Sequence, residues 1–306
     1  MPSPSPTPVD QTALAAVAVA FSLNADFING APHGHGLIND TFVINCRQNG
    51  VPLRYIFQRI NHNVFRNVPA LMANIARVTA HLSARPPVAG RQPLRLIPTL
   101  TNQAYHVDRD GYHWRCYNFI EKAQSHDVIG SLAEARAAAF AFGEFQCQLA
   151  DLTGPRLHET IPNFHHTRRR FEQLRQAISD DVVSRRAEVG PEIEFALNRE
   201  PLASVLLELH ERGEIPERIT HNDTKISNVM LDDVTGEGVC VIDLDTVMPG
   251  LALYDFGDLV RSATNPVLED ETDLSRVKIQ LPVFEQLVAG YLASARPMLN
   301  DTEIAH

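Results

Sequence analysis

Lysine is nearly missing from this chain: among 306 residues only Lys122, Lys225 and Lys278 occur, so any cation in the first 121 residues has to be arginine or histidine. Cysteine is scarce as well. Cys46, Cys116, Cys147 and Cys240 lie far apart with no C-x-x-C pair, which excludes a zinc knuckle and a dense disulfide framework and fits a reducing, cytoplasmic setting. Positive charge falls short of negative, 27 Lys and Arg against 37 Asp and Glu, for a net charge of -10. A field of that sign argues against nucleic acid or an anionic membrane surface as the main partner. Long apolar runs are missing too. Residues 13–21 (ALAAVAVAF) fall well below the roughly 20 residues of a spanning helix, and no Lys or Arg precedes Arg47 to form the basic start of a signal peptide. That stretch reads as a small-residue helix lying on the body of the protein, behind a loosely held MPSPSPTP tail.

What is present is ordinary globular material, 44% hydrophobic and 21% charged, enough for one large domain or two lobes. Residues 1–28 read as tail and helix. From residue 29 a glycine-containing turn (Gly34, Gly36) leads to a β-rich run over 41–46, then the Asn49-Gly50 hairpin signal and a returning strand over 53–60. Apolar residues at 68, 71, 72, 75, 78 and 82, with Pro69 near the start, predict a helix over 68–82. Short strands are expected over 94–97, 103–107 and 112–120. Beyond residue 121 the pattern turns helical. Ser131 with Glu134 reads as a capping box, Phe140 and Phe145 as anchors of the alanine-rich helix that follows, and further helices are expected over 164–177, 191–212 and 284–295. The run Arg168-Arg169-Arg170 reads as a solvated helix start or as an anion contact. The whole predicts an α+β protein with a β-rich lobe over 29–120 and a mainly helical lobe over 121–306.

One constellation carries chemistry. Residues 221–228 read HNDTKISN, and an apolar run ending Cys240-Val241-Ile242 delivers Asp243-Leu244-Asp245. Phosphoryl transfer to a hydroxyl asks the protein for a carboxylate to accept the proton, cations on the phosphates and oxygen ligands for a metal. Asp223 suits the first role and Lys225 the second. Asn228, a neutral oxygen donor, and Asp243 suit Mg²⁺, a hard cation. Asp, Lys at +2 and Asn at +5 is the spacing of the protein-kinase catalytic loop.

HNDTKISN followed by CVIDLDTVMPGLALYDFGDLVR resembles the phosphotransferase family that includes aminoglycoside and choline kinases, with a protein-kinase-like two-lobe fold. HNDTK, VIDLDTVMPG and YDFGD, with YIFQRINHNVF nearer the front, are more narrowly similar to bacterial N-acetylhexosamine 1-kinases. The resemblance runs from about residue 29 to the end and implies Asp223 as base, Asn228 and Asp243 as Mg²⁺ ligands, and Asp245 as a ligand or its support. It further implies that His221 holds the loop by hydrogen bonds, that Asp255 and Asp258 brace the loop or bind Arg261, and that Asn118 C=O and Ile120 N–H meet the adenine edge.

The pattern departs from kinases in the first lobe. The usual strand lysine and helix glutamate are both missing, since residues 68–82 contain no Asp or Glu. Arg59 or Gln58 would stand in for the lysine, only one of them facing the nucleotide because strand side chains alternate. His33-Gly34-His35-Gly36 reads as a phosphate-approaching loop or as a plain tight turn. The chain stops at Thr302–His306, which reads like the opening of another helix, whereas the kinases it resembles continue, so the last element is expected to be shortened. The resemblance implies ATP and Mg²⁺ as cofactors and a small-molecule hydroxyl acceptor, an amino sugar, with an aminoglycoside, choline or homoserine kinase, or a nucleotide-binding module without turnover, as alternatives.

Overall fold

The computed structural model describes residues 10–34, 38–268 and 270–306. Helix α1 (Gln11–Ala18) is capped by Asp10, which accepts from Thr12 N, and leads into β1 (Asp26–Pro32), β2 (Asp40–Gln48) and β3 (Val51–Ile60). β2 and β3 close at Asn49 and Gly50, whose φ values of +50° and +86° are what a type I′ hairpin turn needs. Helix α2 (Val68–Ala84) follows, its first turn capped by Asn67 and its N1 or N2 position filled by a proline. β4 (Leu96–Ile97), β5 (His106–Val107) and β6 (His113–Asn118) complete an antiparallel sheet of order β1-β2-β3-β6-β4, with β5 also on β6.

The two faces of this sheet have different partners. Phe42, Ile44, Phe57, Trp114 and Cys116 pack with Leu14, Val17, Ala18 and Phe21. On the other face Ile60 and Tyr117 join Leu71, Met72, Ile75 and Val78 of α2, and the same cluster takes in Phe145, Leu244 and Val247 from the second lobe. Each of those α2 side chains contributes roughly 1.5–3 kcal/mol by leaving water. One apolar core therefore runs under the cleft and ties the lobes.

The second lobe opens with β7 (Ala123–Gln124) and α3 (Leu132–Leu149). Ser131 accepts from Glu134 N, but Glu134 reaches back to Gly130 N, so the expected box is shifted by one residue on its return side. The buried aromatics of α3 are Phe142 and Phe145, while Phe140 is half-buried beside Arg91. α4 (Thr167–Asp180) begins where the arginine run lies, and Arg168 pairs with Glu211, as a solvated helix start does. The single helix expected over 191–212 is instead α5 (Gly190–Leu197), a 3₁₀ segment (Glu200–Ser204) and α6 (Val205–Glu211). Pro201 breaks it, lacking an N–H and clashing with the carbonyl one turn back. Then come β8 (Arg218–Thr220), β9 (Val229–Asp232), β10 (Gly238–Val241), β11 (Met248–Gly250), α7 (Ala252–Ala263), α8 (Leu281–Ala295) and α9 (Asp301–Ala305). β7, β9 and β10 form one small antiparallel sheet, β8 and β11 another. The catalytic-loop sequence thus leaves β8, and Asp243 follows β10. Among the described residues no helix is long and apolar enough to cross a membrane.

Candidate active site

Residues 221–228 leave β8 as a loop pinned from below. His221 is fully buried between Phe142 and Phe145, with ring centroids 5.5 and 5.7 Å away. Asp223 N–H donates to its Nδ1 (3.3 Å), so Nε2 carries the hydrogen and donates to Ile242 C=O (2.9 Å). The ring therefore joins the catalytic loop to the residue before Asp243. Asn222 takes φ +64°. That turn brings Asp223 and Asn228 together: Asn228 Nδ2 donates to Asp223 C=O (2.8 Å) and Asp223 Oδ2 (3.1 Å). Lys225 Nζ lies 3.5 Å from the same Oδ2.

The floor of the loop is a carboxylate. α7 buries Ala252, Asp255, Leu259 and Ala263 on one side, so Asp255 sits on an otherwise apolar stripe, 1% exposed. It accepts from His221 N (2.8 Å), Asn222 N (2.7 Å) and Gln146 Nε2. Burial pushes its carboxyl above the ordinary range, and these donors pull it part of the way back. Asp258, one turn on, accepts from Thr224 N (2.8 Å) and from Arg261 (2.8 Å). An Asp255→Asn variant loses one acceptor and points an NH₂ at backbone donors. Each N–H left unpaired should cost about 1–3 kcal/mol, seen as a fall of several degrees in Tm by thermal denaturation. An unchanged Tm would remove Asp255 from this role.

Asp243 follows Ile242, whose N–H donates to Asn228 C=O (2.9 Å), and takes φ +59° and ψ +64°. A non-glycine residue held there stores roughly 1–3 kcal/mol and persists only where its surroundings over-determine it. Its carboxyl is raised to about 6, first by partial loss of water beside the packed turn although the residue keeps exposed surface, then by the charge of Asp245, with Arg115 opposing. The donor set fits Mg²⁺: Asn228 has its Nδ2 committed to Asp223, which leaves Oδ1 for a cation, and Asp243 supplies carboxylate oxygen. Among the described residues no three His, Cys, Asp or Glu converge on a metal position, so the remaining ligands would be phosphate and water, the usual Mg²⁺ pattern.

Asp245 departs from the ligand set. Both its oxygens accept from Arg115 Nη1 and Nη2 (the latter 3.0 Å), Asn39 Nδ2 adds a third bond (2.6 Å), and the carboxylate is 4% exposed. Those bonds commit both oxygens to Arg115 and Asn39, the arrangement of a support for the neighbouring Asp243. Arg115 lies fully buried on β6; burial works against its charge, but Asp245 outweighs that and holds the guanidinium above its ordinary range.

Arg59 is corrected as well. Alternation sends it to the sheet face of Trp114, where it pairs with Asp40 (2.9 Å) and lies over Tyr112, 4.6 Å from the ring centroid. Gln58 takes the cleft face, between Thr41 Oγ1 (3.0 Å) and Arg115 Nε (2.9 Å). Gly34 has φ +71°, beside His33, whose ring lies 5.7 Å from Phe119; Gly36 lies outside the described residues. Asn118, the last residue of β6, donates through N–H to Arg95 C=O (3.2 Å) and accepts from Arg95 N at Oδ1 (2.6 Å). Ile120, two residues on, is buried in the core that joins the lobes.

A cleft between an antiparallel sheet and a helical lobe, with Asp, Lys, Asn and a second Asp converging on it, is kinase-like in layout. Residues 29–287 match the family described as phosphotransferase enzyme family. The chain belongs to that family. Solved structures agree on the fold of this phosphotransferase. An aminoglycoside phosphotransferase from Alicyclobacillus acidocaldarius superposes with TM-score 0.57 at 17% identity, over 96% of this chain and 80% of that one. A spectinomycin phosphotransferase, in complex with ADP and spectinomycin, gives 0.53 at 13%, over 97% and 83%. A choline kinase from Cryptosporidium parvum gives 0.53 at 12%, over 94% and 80%. At such identities the likeness establishes the fold alone.

Three residues of the phosphotransferase cleft carry little signal in the sequence. Arg115 shows only as a charge inside the apolar strand HWRCY, which demands a buried partner without naming it. Asn74 sits on the buried face of α2, donating to His158 C=O (2.8 Å) and Val247 C=O (3.1 Å). Tyr117, 5.4 Å from the Arg115 guanidinium, is buried with a hydroxyl that has no hydrogen-bond partner among the described residues.

Proposed function

We propose that this phosphotransferase is an ATP-dependent small-molecule kinase that phosphorylates the anomeric hydroxyl of an N-acetylhexosamine, giving the sugar 1-phosphate. The observation that carries the reading is the position of Asp223, whose carboxylate lies between Asn228 and Lys225 on a loop pinned by His221 and Asp255. Asp223 takes the hydroxyl proton as the acceptor oxygen bonds to the γ-phosphorus, and the bond to the ADP oxygen breaks. Lys225 offsets charge on the transferring oxygens. Mg²⁺, held by Asn228 and Asp243, would neutralise the phosphates when bound. The nucleotide would enter past Gly34 toward the Asn118–Ile120 backbone.

Two features support a neutral acceptor. His165 Nε2 donates to Asn222 C=O (2.9 Å), and its ring lies 4.5 Å from Phe164 and 5.4 Å from Tyr254. These rings, tilted by 51° and 40° to one another, form an aromatic cluster beside the loop whose apolar surface suits a sugar ring. The carboxylates beneath the loop, Asp255 and Asp258, are taken up by backbone donors and Arg261, which leaves little for a polycation. An ADP-release screen over N-acetylhexosamines, choline, ethanolamine and aminoglycosides tests the reading. Turnover is expected with the free hexosamines and none with their 1-O-methyl glycosides. Faster turnover of a cationic acceptor would replace the sugar, and Mg·ATP binding with no ADP release from any acceptor would make the chain a binding module.

The raised carboxyl of Asp243 sets a pH dependence. Below about pH 6 it carries a proton, which a cation has to displace. Mg²⁺ affinity in the presence of ADP should therefore be level above neutrality and fall as pH drops through 6, by up to about tenfold per pH unit. Calorimetric titration between pH 5 and 8 on the parent protein and on Asp243→Asn separates this from protonation of the ADP phosphate, and the same slope in both would exclude Asp243 as a ligand.

A further inference from the structure

The turn that carries Asp243 is pinned carbonyl by carbonyl. Thr160 Oγ1 donates to Asp245 C=O (2.9 Å), Asn222 Nδ2 to Thr246 C=O (2.9 Å), Asn74 Nδ2 to Val247 C=O (3.1 Å) and Thr220 Oγ1 to Met248 C=O (3.1 Å). The donors come from α2, from the segment before α4, and from β8 with the catalytic loop. Only the Asp245 side chain adds charge to this set, and it is gripped entirely from the first lobe. Arg115 offers both Nη atoms, Asn39 adds Nδ2, Asn61 N–H fixes Asn39 Oδ1 (2.9 Å), and Gln58 occupies Arg115 Nε. A continuous row, Thr41–Gln58–Arg115–Asp245, thus runs from β2 across the sheet into the turn.

Kinase lobes ordinarily join strand to helix by a lysine–glutamate ion pair. This chain has no lysine before residue 122 and no acidic residue in α2, where Asn74 holds Val247 by a neutral bond instead. The charged pair is relocated: the cation lies on another strand of the sheet, β6, and the anion in the second lobe, two residues past Asp243. We infer that Arg115 is the positioning residue of the metal turn, fixing Asp243 in its left-handed conformation through Asp245, in place of the lysine–glutamate pair. The inference rests on the reading of Asp243 as a metal ligand. A direct phosphate contact does not fit, because the Arg115 side chain is 1% exposed, with Nε on Gln58 and both Nη atoms on Asp245. A planar fork is what that geometry uses, and lysine, one point charge, cannot reproduce it.

Arg115→Lys keeps the charge and loses the fork; Asp245→Asn keeps the shape and loses the charge. ADP binding with and without Mg²⁺, and hydrogen exchange of the Val247 amide, which donates to Leu244 C=O (3.2 Å), are measured on both. In either variant metal-free ADP affinity should stay near that of the parent protein. The enhancement by Mg²⁺ should fall on the order of 10- to 100-fold, and the Val247 amide should exchange at least about tenfold faster. An equal loss of metal-free ADP binding would make Arg115 a phosphate contact and overturn the inference. Unchanged Mg²⁺ enhancement and exchange would overturn it too, reducing the pair to packing. Should Arg115→Lys fail to fold, Asp245→Asn alone decides by the same two readouts. Both are independent of turnover, so a parent protein that releases no ADP with any acceptor would defeat the kinase reading and leave this one standing.

Discussion

Asp223→Asn should lower turnover by about 10²- to 10⁴-fold while leaving Mg·ADP affinity nearly unchanged. The substitution is isosteric, and the amide keeps an oxygen toward Asn228 Nδ2, so the loop should hold its shape. His221, Asp255 and Asp258 hold backbone groups of the loop, not the Asp223 carboxylate. What is lost is a negative acceptor for the hydroxyl proton. An amide is not basic, so the oxygen it keeps toward Asn228 Nδ2 and toward Lys225 Nζ, 3.5 Å from the present Oδ2, cannot take that proton. Coupled ADP release measures kcat, and calorimetry measures nucleotide affinity on the same protein. Full turnover in the variant would assign the proton to another group; lost nucleotide affinity would make Asp223 a binding residue instead.

Local chemistry was readable from the sequence where one short stretch contains the whole interaction. HNDTKISN carries Asp223, Lys225 and Asn228 within six residues, and their bonds run among themselves. The Asn49-Gly50 turn and the apolar period of α2 are equally local, and the structure has both. β1 is harder to read, because Gly30 interrupts it: a Cβ there would run into Leu14 and Ile44, a packing reason that only the docked α1 supplies. The choice between Gln58 and Arg59 turns on which sheet face looks into the cleft, and that is set by α1 covering the other face. Arg115 and Asp245 lie 130 residues apart, and Asn74 and Val247 lie 173 apart. No periodicity or spacing encodes such pairs; they follow from the way the lobes dock.

Lys225→Ala should cost about 10²- to 10³-fold in turnover, the scale of removing one group that meets charge as it develops. Arg59→Ala should cost little. The two cations differ in where the fold puts them. Lys225 follows Asp223 by two residues, its Nζ beside the carboxylate and its side chain about one-third exposed in the cleft. Arg59 faces the other side of the sheet, half-committed to Asp40 in an exposed pair of the kind worth roughly 0–1 kcal/mol. Arg115 does not compensate for the loss of Lys225, since Asp245 and Gln58 use its guanidinium. With the first lobe's buried cation spent on positioning, Lys225 is the cation left beside Asp223 to meet phosphate charge. Steady-state kinetics should therefore show the loss in kcat, with only a small change in KM for ATP. A larger loss in Arg59→Ala would require the nucleotide to lie on the sheet face of Trp114, on the far side from Asp243 and Asn228, and the whole site would have to be redrawn.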